Sequence, residues 1–332
     1  GDTKKDLSLN LTRLPNIKLP VEIGIFGPLP IGATYFEGQG KKQWLNQLKR
    51  KTLEEVKSIG IRFITDLYQP EFKYLDGNTY FVLKEDKAYQ KVFSENKRYI
   101  YQERWWRQLF DGHFRNVAQS EGGYQENLKK ELKKMNQSLV YLYSDEATGY
   151  RDAVNYDYEL GMKLKQKYPN LLLGGFANPY TYQKAKKLYE SWDVIYFSDI
   201  PSQKFIDQVN SKFREWGIYN LCAEIDADLA KCYGLTLFRL YRRGVKSFLE
   251  WHLNSTQNYP YYDLDGREAD IAFYYTNEVG ELFPSIRLRS LETGLEVFRK
   301  LLYLEKLSSE GSLPKKSAQW LESLNKQELL PL

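Results

Sequence analysis

Two adjacent carboxylates, Asp145 and Glu146, follow the apolar run SLVYLYS (residues 138–144) and precede the polar stretch ATGYRD. An apolar run between helical stretches reads as a buried parallel strand, and parallel α/β folds keep reactive groups just past the carboxyl ends of their strands. Two neighbouring acids there can divide the labour. One stays ionised to orient or stabilise charge, while the other, in a drier position, keeps a proton to donate. The competing reading is an acidic pair that caps the next helix or stands in solvent. Alternation sets a further condition. Along an extended strand Asp145 and Glu146 face opposite ways, so both reach one site only if the chain leaves the β conformation near Ser144 or Asp145.

Other chemistries have little to stand on. The chain has two cysteines, Cys222 and Cys232, and two histidines, His113 and His252. Neither CxxC nor HxxxH spacing occurs, so no metal site is expected, and each cysteine reads by default as a buried free thiol, with a disulfide between the two left open. No cofactor is implied. GIFGPLPIG after the first strand lacks the GxGxxG spacing and carries two prolines, which disfavours a dinucleotide site. The 48 basic and 43 acidic side chains, net +5, are spread along helical stretches such as NLKKELKKMN. They read as solvated helix faces, and a concentrated basic stripe for nucleic acid is missing. No run approaches the length of a membrane span. The chain begins at Gly1 rather than Met, which leaves room for a leader removed on export. The 27 Tyr, 17 Phe and 7 Trp supply rings able to stack on the apolar faces of sugars, which fits a carbohydrate substrate.

The elements that must position Asp145 and Glu146 alternate along the chain. Strands are expected at VEIGIFG (21–27), IRFITDLY (61–68), SLVYLYSDE (138–146), LLLGGFA (171–177), DVIYFSD (193–199), IYNLCAEID (218–226) and VKSFLEWHLN (245–254). Helical stretches separate them, including residues 43–58, 124–136, 156–167, YTYQKAKKLYESW, SQKFIDQVNSKFREWG and LAKCYGLTLFRLYRRG. A third strand falls somewhere in residues 69–123, where NTYFVLK suggests a hairpin, and the pattern does not place it. The count of about eight strands predicts a TIM (β/α)8 barrel over residues 21–307, between an extended leader (1–20) and a helical tail (308–332).

Barrel geometry gives the strand ends a shared address at the carboxyl-terminal mouth. Asp66 and Tyr68 belong there after strand two, Asp145 and Glu146 after four, Asn178 and Tyr180 after five, and Ser198 and Asp199 after six. Glu224 and Asp226 follow strand seven, and Glu250 and Trp251 end strand eight. Arg287 and Arg239 either hold strand-end carboxylates or lie on helix surfaces, and both are read as structural.

The Asp145–Glu146 pair, the strand VKSFLEWHLN with Trp251, and the tail LFPSIRLRSLETGLEVF together resemble the catalytic barrel of glycoside hydrolase family 123 and its relatives, of β-N-acetylgalactosaminidase type. In that group a tail of the form PSIRLEALRDGIEDYEYL makes the final barrel helix. Pro284, Ser285, Ile286, Arg287, Leu288, Leu291, Gly294 and Glu296 match it, while Glu292 and Val297 replace the expected Arg and Asp. The resemblance implies substrate-assisted retention on 2-acetamido β-glycosides, in which the sugar's own acetamido oxygen attacks the anomeric carbon. Asp145 would accept the acetamido N–H, and Glu146 would act as acid and then base. Trp251 would wall the sugar, Tyr196 would bond the acetamido oxygen, and Asp199, Glu224 and Asp66 would line the site. Core packing is an equally weighted reading for Trp251 and Tyr196.

Two alternatives stay open. In a double-displacement glycosidase on the same barrel, Glu146 is the acid/base and Glu224 the nucleophile across the mouth. A non-catalytic glycan-binding barrel is the other.

Overall fold

The computed structural model describes residues 17–26, 42–65, 70–75, 78–83, 92–93, 98–101, 139–145, 147–149, 153–167, 169, 171–220, 228–250, 272–276 and 282–326. Short apolar runs rich in Val, Ile and aromatics form the strands β1 (Glu22–Ile25), β2 (Phe63–Ile64), β5 (Arg98–Tyr101), β6 (Leu139–Asp145), β7 (Leu172–Ala177), β8 (Val194–Phe197), β9 (Glu215–Tyr219) and β10 (Ser247–Glu250). They make one sheet in the order β2-β1-β10-β9-β8-β7-β6-β5, and every pairing in it is parallel. Read as eight strands in chain order, each pairs with its successor and the last with the first, except that the second and third (β2 and β5) form the two edges. The two edges, β2 and β5, come together in space, so the sheet curls into a (β/α)8 barrel.

Between β2 and β5 lies the antiparallel hairpin β3 (Pro70–Leu75) and β4 (Asn78–Leu83). Its residues explain why the sequence pattern does not place the third strand, since an inserted hairpin carries the same β-rich signal as the barrel strand beyond it.

Two apolar layers result from the period-two alternation of the strands. Phe26, Phe63, Val140, Leu142, Leu172, Phe176, Val194, Tyr196 and Leu249 fill the barrel. The alternate residues, among them Ile23, Ile25, Tyr141, Tyr143, Leu173, Ile195, Phe197, Ile218 and Phe248, face the helices. Small residues let large ones cross the interior. A Cβ at Gly24 would meet the Phe63 ring at 2.2 Å, and one at Gly217 would meet the Tyr196 ring at 2.7 Å.

The helices return an apolar stripe to the outer layer. In α1 (Lys42–Ile59) Leu53, Val56 and Ile59 recur at helical spacing, as do Ile206 and Val209 in the helix Gln203–Lys212. The connection after β7 departs from expectation: YTYQKAKKLYESW forms 3-10 segments, Pro179–Ala185 and Leu188–Ser191, where an α-helix was expected. Pro179 opens the first, and the ring stacks Tyr182–Tyr189 (4.6 Å) and Tyr189–Trp192 (4.9 Å) tie both to the barrel. The expected helix over 124–136 lies outside the described residues. Strand seven also shifts. REWG, read as the end of a helix, opens β9, which closes at Tyr219, because Trp216 and Ile218 are the apolar residues that face the helix layer.

The tail motif has a structural job. Ser285 caps the helix Ile286–Ser309, its hydroxyl accepting from the Leu288 N–H at 3.3 Å. Leu288, Leu291, Leu295 and Phe298 are buried, and Gly294 lets the helix approach the Tyr233 backbone. A further helix, Lys315–Lys326, packs Leu321 and Leu324 inward. Cys232 is disulfide-bonded rather than a free thiol. The chain's one other cysteine is Cys222. None of the described helices is long and apolar enough to cross a membrane.

Candidate active site

The fourth barrel strand, β6, changes phase shortly before its end. Its register with β7 runs Val140 with Leu172, Tyr141 with Leu173 and Leu142 with Gly174, then skips so that Ser144 meets Gly175 and Asp145 meets Phe176. This is a β-bulge at Tyr143, with two residues of one strand opposite a single step of the other. Both Tyr143 and Ser144 consequently face the helix layer. The Tyr143 hydroxyl bonds Ser191 Oγ at 2.8 Å and accepts from Trp192 Nε1 at 3.0 Å. The Ser144 hydroxyl donates to Asp157, a buried carboxylate on the helix Ala153–Lys167, at 2.5 Å. With Ser144 turned outward, Asp145 turns inward, level with Phe176 of the interior cluster.

Strict alternation from Val140 and Leu142 gives the opposite result, with Ser144 inside and Asp145 outside. The bulge sets the side of Asp145, while Glu146 lies outside the described residues. The strand ends at Asp145, and a 3-10 turn, Ala147–Gly149, follows.

Beneath Asp145 the barrel presents a floor of rings. Phe176 packs on Tyr219 at 4.7 Å, on Phe26 at 5.2 Å and on Tyr196 at 5.7 Å, and Phe26 meets Tyr219 at 6.4 Å. Tyr196 is fully buried among them. Tyr219, Phe26 and Phe176 carry no chemistry as residue types and so were not singled out from sequence. The signal was present in the alternation: each is an inward position at a strand end.

The rim continues after β7 and β8. Asn178 caps the 3-10 segment that starts at Pro179, its Oδ1 accepting from the Tyr180 N–H at 2.8 Å. Asp199 accepts from the Ile200 N–H at 2.7 Å and stands beside the Tyr180 hydroxyl. The carboxylate's charge, then burial and a hydrogen bond, raise that phenol's pKa. Tyr180 itself is 73% exposed. The Ser198 and Thr65 hydroxyls are buried and have no hydrogen-bond partner among the described residues. A bond of 2.8 Å between the Thr148 and Thr181 hydroxyls joins the loop after β6 to the loop after β7.

At the end of β9, Asn220 has φ 56, in the left-handed region that few non-glycine residues occupy. Its N–H still donates to the Leu249 carbonyl of β10 at 2.9 Å. Glu224 was expected at the end of a seventh strand spanning 218–226, of which the described part, β9, runs Glu215–Tyr219. Glu146, Trp251, Asp66, Tyr68, Glu224 and Asp226 themselves lie outside the described residues.

Glu250 does not face the mouth. Fully buried in the outer layer, it pairs with Arg287 and accepts from the Tyr233 hydroxyl at 3.0 Å, and Arg287 Nε donates to the same hydroxyl at 3.1 Å. Glu250 continues the outward phase of Phe248, while Leu249 takes the inward place. Arg287 therefore holds a strand-end carboxylate and is buried, not on a helix surface. The Arg287 guanidinium also lies over the Phe273 ring at 4.8 Å. Desolvation works against its charge, but the Tyr233 and Glu250 contacts outweigh it and raise its pKa.

A cavity of about 470 Å³ lined by Gln203, Asp207, Asn210, Arg239, Arg242 and Arg243 lies in the helix layer and not at the strand ends. Among the described residues no group of His, Cys, Asp and Glu is arranged to hold a metal ion.

Neither a protein-family model nor a curated protein matches the chain. Among solved structures it is similar to a psychrophilic glycoside hydrolase family 10 endo-β-1,4-xylanase, with TM-score 0.44 and 10% identity over 82% of this chain and 96% of that one. It is also similar to xylanase XynB from Paenibacillus barcinonensis, complexed with a conduramine derivative, with TM-score 0.41 and 12% identity over 84% and 95% of the two chains. Likeness at this level says nothing of residues, substrate or mechanism.

Proposed function

We propose that the chain is a retaining glycoside hydrolase that acts on 2-acetamido β-glycosides by substrate-assisted catalysis. The observation that carries this reading is the bulge in β6, which turns Asp145 from the helix layer into the barrel mouth above a floor of aromatic rings. A carboxylate that works by orienting an acetamido group must face the sugar, and a strand that spends a bulge on turning it there fits such a role.

In this scheme the acetamido oxygen attacks the anomeric carbon as the glycosidic bond breaks. Asp145 accepts the acetamido N–H and stabilises the positive charge that develops on the oxazolinium ring, while Glu146 protonates the departing oxygen. Glu146 then takes a proton from the water that opens the ring, and the anomeric configuration is retained. Trp251 contacts the acetamido group or the sugar ring, and Tyr196, fully buried, backs the ring floor beneath it. Asp66, Asp199 and Glu224 are assigned to the surrounding hydroxyls.

Hydrolysis of chromogenic β-GalNAc, β-GlcNAc, β-galactoside and β-glucoside substrates tests the reading. Cleavage confined to the 2-acetamido sugars, with inhibition by a thiazoline mimic of the oxazoline, is the expected result. Equal cleavage of sugars lacking the acetamido group overturns it.

A further inference from the structure

Beyond the sugar held at Asp145, the rim after β7 and β8 carries Tyr180, which the scheme above leaves unused, next to Asp199, which faces outward past that sugar's hydroxyls. Tyr180 presents a ring that is 73% exposed, which is unusual for an aromatic side chain at the mouth of a barrel. A ring left in water and fixed at one edge suits stacking on the apolar face of a sugar. Tyr180 is fixed twice: Asn178 holds its backbone N–H at 2.8 Å, and Asp199 stands at its hydroxyl.

Asp199 supplies what a ring cannot. A carboxylate at the rim accepts hydrogen bonds from vicinal hydroxyls, and its backbone anchor, the Ile200 N–H at 2.7 Å, holds it in place. The position relative to Asp145 is also set. Thr181, next to Tyr180, is bonded at 2.8 Å to Thr148 in the loop that leaves Asp145, so both loops share one side of the mouth.

We infer that Tyr180 and Asp199 form a second sugar subsite, which binds the residue of the glycan next to the one cleaved. The ring stacks on that residue's face, while the carboxylate takes its OH groups. The inference rests on the glycosidase reading for the word "next", but not for the binding itself. A consequence is that the natural ligand is an oligosaccharide or glycoconjugate rather than a free monosaccharide glycoside.

The test compares wild type with Tyr180→Ala, Tyr180→Phe and Asp199→Asn. Two readouts are used: kcat/KM on aryl monoglycosides against β-linked di- and trisaccharides of GlcNAc or GalNAc, and the calorimetric Kd of the same oligosaccharides on the Asp145→Asn background. Tyr180→Ala is expected to weaken oligosaccharide binding and kcat/KM about 10-fold or more, through KM, while the aryl monoglycoside rate stays within twofold. Tyr180→Phe keeps the ring and is expected to lose less than Tyr180→Ala, and Asp199→Asn to lose a comparable amount. Oligosaccharide binding that needs Tyr180 in a wild type that cleaves nothing supports the subsite and overturns the hydrolase. Cleavage with no dependence on Tyr180 supports the hydrolase and overturns the subsite, and a wild type that neither binds nor cleaves overturns both.

Discussion

Asp145 stands level with Phe176 on the neighbouring strand and faces the barrel interior, although the phase set by Val140 and Leu142 would send it outward. One extra residue in β6 makes the difference. The same residue shift sends Tyr143 and Ser144 together into the helix layer, where Trp192, Ser191 and Asp157 hold them. The inward acid and the outward anchors are thus two sides of one local irregularity.

Asp145→Asn keeps the shape of the side chain and removes the charge that stabilises the intermediate. On 2-acetamido substrates kcat is expected to fall about 10²- to 10³-fold, the scale of losing one preorganised electrostatic partner, with KM changed only a few-fold. Steady-state kinetics with a circular-dichroism check of folding decides it. A variant that keeps half the wild-type kcat removes Asp145 from the mechanism.

Ser144→Ala acts on the same site from outside. It leaves the buried Asp157 carboxylate short of a donor, at a cost of about 1–3 kcal/mol in urea unfolding. Because that bond fixes the bulge, kcat is expected to fall more than stability explains, measured well below the unfolding midpoint. Loss of stability with unchanged kcat would show that the bulge holds without Ser144.

The sequence made the barrel legible because strand and helix signals alternate with different periods, and the count of eight needs no exact boundary. Asp145 was legible as a strand-end residue because it closes an apolar run. Other features were not, for physical reasons. A bulge is invisible to pattern reading, since Tyr143 and Ser144 suit either face of a strand. Glu250 was assigned to the mouth because a charged residue at a strand end normally avoids the core, and only the distant Arg287 and Tyr233 make its burial tolerable. Tyr180 was placed at the mouth by its position after strand five, but nothing in the sequence marked its ring as exposed.

Removing one member of the Glu250–Arg287 pair strands the other charge in the outer layer. Arg287→Met is expected to destabilise the fold by about 3–5 kcal/mol, and the double variant Arg287→Met/Glu250→Leu to recover much of that loss. Chemical denaturation of wild type, the singles Arg287→Met and Glu250→Leu and the double variant measures the coupling. A double variant as unstable as the sum of the singles would mean that the pair is held by packing rather than by charge.

Glu224 decides between the two catalytic schemes. In a double displacement the nucleophile stands at the end of strand seven, about 5–5.5 Å from the acid/base. In the substrate-assisted scheme the acetamido oxygen is the nucleophile and Glu224 only holds a sugar hydroxyl, so Glu224→Gln is expected to cost about 10-fold or less in kcat, the scale of one hydrogen bond. A nucleophile would behave differently, because without it the covalent step has no partner, and added azide would attack from the vacated face and restore turnover as the inverted α-glycosyl azide. A loss of about 10⁴-fold or more in Glu224→Gln, rescued by azide, would replace the substrate-assisted scheme with double displacement and leave Asp145 as an orienting acid alone.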